Sequence, residues 1–106
     1  MLERKLGQSG LTVSRLCFGT LTMSPSQANL SPEEGGELIV YAAKQGVHFL
    51  DTAELYETYP HVRYALRHTS QPLVLSTKSY AYDQKSARES VEKARREMDA
   101  DVIDLF

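Results

Sequence analysis

Four short apolar runs recur along this chain, beginning at Leu16, Val47, Leu73 and Val102. Their starts lie roughly 30 residues apart, about the length of one strand–helix unit. Runs this short are poor helices and suit strands buried on both faces, as in a parallel sheet. Two of them are chemically armed where they end. Val47-His48-Phe49-Leu50 leads into Asp51-Thr52-Ala53, with Tyr56 just beyond, and Leu73-Val74-Leu75 leads into Ser76-Thr77-Lys78. In α/β folds the active site gathers at the carboxyl ends of the strands. The period therefore predicts an α/β chain of about three βα units plus a fourth strand, with Asp51, Tyr56 and Lys78 delivered to one rim.

The intervening segments carry helix signals. Ser31-Pro32-Glu33-Glu34 offers an N-cap serine, a proline at the first helical position and a glutamate at the capping-box position. Leu38, Ile39, Ala42 and Ala43 follow as an apolar stripe, and Gly46 suits the C-terminal cap. Ser86-Ala87-Arg88-Glu89 reads as a second capping box, with Ala87, Val91, Ala94 and Met98 on one face. A middle helix is expected from Pro60 to His68, with Val62, Ala65 and Leu66 inward. Ahead of the first strand, two β-prone runs flank Gly7-Gln8-Ser9-Gly10, a hairpin pattern.

At 106 residues the chain is well short of the roughly 250 of a complete α/β barrel. Its last run, Asp101–Phe106, reads as a buried strand with nothing after it as cover. Residues 1–106 are therefore expected to be the N-terminal part of one larger barrel domain. Its open edge, with the inward faces of Leu16, Phe49 and Leu75, would favour self-association.

A net charge of −2 gives no electrostatic case for nucleic acid or an anionic membrane. The mixed signs on the Ser86–Met98 segment read as a solvated face. No apolar run approaches the roughly 18 residues of a membrane span, and the N-terminus lacks the apolar core of a signal peptide. Cys17 is the only cysteine, which excludes an internal disulfide and points to a reducing, cytoplasmic setting. Within its apolar run it is expected to be a small core side chain. His48, His61 and His68 lack partners at metal-ligand spacing, so no metal site is expected.

A lysine beside Tyr56 would lower the phenol's pKa from near 10, and Asp51 paired with that lysine would hold it charged and in place. The tyrosine could then give its proton to a carbonyl oxygen, general acid catalysis typically worth about 10²–10⁴-fold. On spacing alone, a salt bridge at a strand end beside a surface tyrosine accounts for the same residues. Tyr80 and Tyr82 follow Lys78 and either shape a substrate pocket or pack a loop.

The chain resembles the N-terminal portion of the aldo-keto reductases from Leu6 to Phe106. The likeness is carried by Leu6-Gly7 with Ser9–Ser14, Phe18-Gly19-Thr20, Gly46–Ala53 with Tyr56, Ser76-Thr77-Lys78 and Asp101–Phe106. The resemblance implies a partial (β/α)8 TIM barrel and an NAD(P)H-dependent oxidoreductase that reduces aldehydes or ketones to alcohols. It implies NADPH, or NADH, as cofactor and a small-molecule carbonyl compound as substrate. Three members of the family's Asp-Tyr-Lys-His tetrad map onto Asp51, Tyr56 and Lys78. Gly19 and Thr20 map to the floor beneath the nicotinamide, and the resemblance implies that Asp51 also binds the cofactor.

Two positions depart from the family. Its histidine lies just beyond the fourth strand, and this sequence ends at Phe106 before reaching that place, so residues 1–106 alone are expected to be inactive. Relatives commonly carry glycine after the tyrosine, where this chain has Glu57. A non-catalytic binding or regulatory module, or a truncated product without independent function, are the alternatives.

Overall fold

The computed structural model describes Met1–Phe106. The expected hairpin pairs β1 (Glu3–Lys5) with β2 (Thr12–Ser14) in antiparallel register. Gly7 and Gly10, at φ +54° and +82°, make its turn because neither carries a Cβ to oppose left-handed backbone. Three parallel strands follow: β3 (Cys17–Gly19), β4 (Phe49–Asp51) and β5 (Val74–Ser76), hydrogen-bonded in that order. Helices α1 (Pro32–Lys44) and α2 (Tyr59–His68) make the two crossovers, and α3 (Gln84–Met98) follows β5. The fold is α/β, with hairpin, strands and helices in the predicted order.

The register assigns the sheet's faces. Phe18, Leu50 and Leu75 stand opposite one another and turn toward the helices, where Leu50 and Leu75 join Ile39, Val40, Val62, Ala65, Ala94 and Met98 in the core. Their alternates Cys17, Phe49 and Val74 share the other face, because successive side chains in a strand point to opposite sides. Gly19, Asp51 and Ser76 continue that second face at the carboxyl end.

This placement corrects two expectations. Cys17 is exposed rather than a core side chain, since strand alternation turns it away from the helices. Of the three residues expected on an uncovered inward face, only Phe49 lies on it. Leu75 packs under the helices, and Leu16 precedes β3 and is 58% exposed.

Helix α1 carries the full capping box: the Ser31 hydroxyl accepts from the Glu34 N–H at 3.1 Å and the Glu34 carboxylate accepts from the Ser31 N–H at 3.0 Å. Past its last residue Lys44, Gly46 at φ +91° closes the helix, and the Val47 and Gly46 N–H groups donate to the Ala42 and Ala43 carbonyls. The buried stripe is Gly35, Gly36, Ile39, Val40 and Ala43, whereas Leu38 is 49% exposed. The glycine pair sets that rotation. A Cβ at Gly35 would stand 2.5 Å from the His61 ring, and one at Gly36 would stand 2.8 Å from the Tyr64 Cβ, so α2 crosses α1 on those two residues.

Helix α3 starts earlier than the Ser86 capping box predicts. The Asp83 carboxylate accepts from the Ser86 N–H at 2.7 Å, which makes Asp83 the cap and leaves Ser86 inside the first turn. The fourth run also differs. It contributes one parallel bridge, Ser76–Leu105, and Val102 is 62% exposed. The Asp104 carboxylate takes the Leu75 N–H at 2.8 Å, a backbone donor that a longer ladder would bind through a carbonyl.

Candidate active site

Asp51, Tyr56 and Lys78 meet at the carboxyl edge of the sheet, each placed by a different element. Asp51 is the last residue of β4, and its carbonyl accepts from the Thr20 N–H at 3.0 Å. Tyr56 closes a 3-10 turn, Glu54–Tyr56, whose start is tied to the neighbouring strand by Glu54 N–H donating to the Lys78 carbonyl at 3.0 Å. Lys78 follows β5 by two residues.

The Lys78 ammonium uses each of its three donors. It gives hydrogen bonds to Asp51 Oδ1 at 3.1 Å, Asp51 Oδ2 at 3.0 Å and the Thr52 carbonyl at 2.8 Å. Its Nζ also stands 4.9 Å from the centroid of the Tyr56 ring, within cation–π range. Partial burial works against its charge, but hydrogen bonding and attraction to the Asp51 carboxylate and the Tyr56 phenol outweigh that, and Lys78 titrates above the ordinary lysine value. Asp51 and Lys78 are both about half exposed, so water screens the pair.

A cleft of about 410 Å³ opens beside these groups, with Leu55, Tyr56, Lys78 and Tyr80 among its walls. Tyr80 therefore lies at the rim cleft, while Tyr82 stands clear in solvent. Glu57 also borders the cleft and adopts left-handed backbone, φ +58° and ψ 36°. Glycine would adopt that conformation without strain.

The two residues expected beneath a nicotinamide part company. Gly19 lies on the same face as Asp51, and nothing stands within 4 Å of where its Cβ would be. Thr20 is 0% exposed, and its hydroxyl bonds to Thr52 and Thr58 instead. With no exposed surface, it offers a bound molecule no contact in this arrangement.

The histidines sit elsewhere. His48 bonds Glu3, His61 the Leu30 carbonyl and His68 the Tyr64 carbonyl, and none of them borders the cleft. The Thr52 carbonyl, third partner of Lys78, was not foreseeable as such. A backbone acceptor has no residue type to announce it.

Comparison with known proteins bears on the family and the fold. The sequence profile of the aldo/keto reductase family matches residues 15–106. Among solved structures, a Pseudomonas aeruginosa chain assigned to the aldo-keto reductases superimposes with a TM-score of 0.82 at 26% identity, over 96% of this chain and 43% of its own. An aldo-keto reductase from Bacillus halodurans, in its holo form, superimposes with a TM-score of 0.77 at 24% identity, over 97% of this chain and 38% of its own. The chain thus spans less than half the length of these structures, in keeping with a partial (β/α)8 barrel. By its profile match across most of its length, the chain belongs to the aldo/keto reductase family.

Proposed function

We propose that residues 1–106 supply the N-terminal part of a single barrel domain whose activity is NAD(P)H-dependent reduction of aldehydes or ketones to alcohols. Tyr56 acts as general acid, Lys78 stabilises the negative charge left on the phenol, and Asp51 holds Lys78. The observation that carries this reading is the Lys78 ammonium, held by both Asp51 oxygens and the Thr52 carbonyl with the Tyr56 ring 4.9 Å away.

The residues present fit the ring end of the cofactor. Gly19 leaves open space beside Asp51 at the carboxyl edge, where a flat ring can lie against backbone. When bound, the dihydronicotinamide supplies a hydride to the carbonyl carbon. Tyr56 gives its proton to the carbonyl oxygen as that oxygen gains charge. Lys78 and Asp51 keep the site's charges fixed, so little reorganisation accompanies the transfer. NADPH, with NADH as the alternative, is the cofactor in this reading, and the substrate is a small carbonyl compound in a reducing, cytoplasmic setting. Residues 1–106 alone are inactive and associate through the open sheet face that carries Phe49 and Val74.

The test is Tyr56→Phe in the protein carrying the complete barrel, since the change deletes the proton and keeps the ring. Aldehyde-dependent NADPH oxidation should fall by about 10²-fold or more with NADPH binding retained. Near-normal turnover would remove Tyr56 from the role of proton donor.

A further inference from the structure

Beneath the rim, three threonine hydroxyls close on one another. Thr20 Oγ1 donates to Thr52 Oγ1 at 2.9 Å, Thr52 and Thr58 are 3.0 Å apart, and Thr58 and Thr20 are 2.8 Å apart. All three residues are 0% exposed. A hydroxyl has one proton to give. With Thr20 donating to Thr52, the ring closes if Thr52 donates to Thr58 and Thr58 donates to Thr20. Each hydroxyl then gives once and accepts once, and no buried polar atom is left unpaired.

The placement of these threonines is as telling as their contacts. Thr20 is the N-cap of the short 3-10 helix Leu21–Met23, and Thr58 is the N-cap of α2. A threonine at an N-cap ordinarily turns its oxygen onto the backbone N–H of the first turn. Neither does so here; both side chains leave their helix uncapped and bond across the fold. Thr52 follows Asp51 directly, and its carbonyl is the third acceptor of the Lys78 ammonium. The five residues 53–57, which carry Tyr56, are therefore pinned at Thr52 and Thr58 to the same point, the Thr20 hydroxyl.

We propose that the Thr20–Thr52–Thr58 hydroxyl ring is a positioning device for proton transfer, fixing the Tyr56 loop relative to Lys78 and Asp51. The proposal rests on the assignment of Tyr56 as general acid. None of the three threonines reaches the cleft, so each acts through the loop it holds and touches no reacting atom. Small misplacements of a reacting group are costly to rate, because proton transfer needs near-contact geometry.

The test uses the protein carrying the complete barrel, with Thr58→Val, Thr58→Ser, Thr20→Val and Tyr56→Phe. Valine keeps the shape and deletes the hydroxyl, and serine restores it. In Thr58→Val, kcat should fall by about 10- to 100-fold with NADPH affinity unchanged, and the solvent deuterium effect on kcat should grow as proton transfer becomes slower. Thr58→Ser should recover most of the rate. If Thr58→Val does not fold, Thr20→Val opens the same ring from its other side and carries the same readouts. A valine variant that folds and turns over normally overturns the proposal, as does one that only loses thermal stability, or one that serine fails to rescue. The Tyr56→Phe arm keeps the two ideas apart. If it is inactive while the valine variants are normal, only the hydroxyl ring falls; if it is active, the general-acid reading falls first.

Discussion

Replacing Lys78 by methionine separates electrostatic catalysis from structural support. The change keeps the aliphatic stem and deletes the ammonium, with its bonds to both Asp51 oxygens and to the Thr52 carbonyl. Charge left on Tyr56 after proton transfer spreads over a ring centred 4.9 Å from Nζ. At an effective dielectric of about 20, that attraction is worth about 3 kcal/mol. Lys78 is half exposed, and screening brings the figure to about 2 kcal/mol, or about 30-fold in rate. The stability cost is smaller. Asp51 is itself nearly half exposed, water replaces the lost partner, and a pair of this kind contributes up to about 1 kcal/mol.

The assay is aldehyde-dependent NADPH oxidation by the complete-barrel protein, followed through the cofactor's near-ultraviolet absorbance, beside a thermal melt of the same variant. The expected result is a large loss in kcat with a small loss in melting temperature. The pH dependence has a definite sign. The Lys78 pKa is raised in the fold, so the pair's contribution is complete below lysine's ordinary value of 10.5 and disappears only as the pH rises through the higher one. Turnover between pH 6 and 9, roughly, should therefore show no step from this lysine. A variant that melts early yet turns over like wild type would refute the electrostatic role and leave Lys78 a structural partner.

Other perturbations test the frame that holds the site. Glu57→Gly relieves left-handed strain of about 1 kcal/mol, so its melting temperature should hold or rise, whereas Glu57→Val, β-branched at φ +58°, should melt lower; the opposite order would refute strain at this position. Gly36→Ala forces a methyl against Tyr64 where α2 crosses α1 and should cost about 1–3 kcal/mol in denaturant unfolding. The Ser86 N–H and hydroxyl hold the Asp83 carboxyl below its ordinary value of 3.8, so the cap stabilises α3 above that pH and is lost as pH falls through the lower one. Asp83→Ala should remove that acid-side transition from circular dichroism, and an unchanged acid limb would contradict the cap's role.

Much of this molecule is legible in its linear sequence. The repeat of apolar runs depends on chain order alone, and it placed β3, β4 and β5 and the helices between them. Local chemistry did the same for the Ser31 capping box and the Gly46 terminus, because each is completed by residues within one turn of itself. Strand ends also marked Asp51, Tyr56 and Lys78 as neighbours on one rim, which is where they stand.

Other features needed partners distant in sequence. Leu38 and Val40 are equally apolar, and only the crossing of α2 over Gly35 and Gly36 decides which is buried. Cys17 and Phe18 are both apolar neighbours in one strand, and the side on which the helices lie determines which enters the core. Asp104 shortens the last strand by bonding a backbone donor 29 residues away. The hydroxyl ring joins Thr20 to residues 32 and 38 positions later, and at each position threonine alone suggests nothing more than a cap or a strand end. Periodicity and capping are local and survive in the linear order. The facing of a strand, the rotation of a helix and the closing of a polar ring are set by what packs against them, and those contacts exist only once the chain has folded.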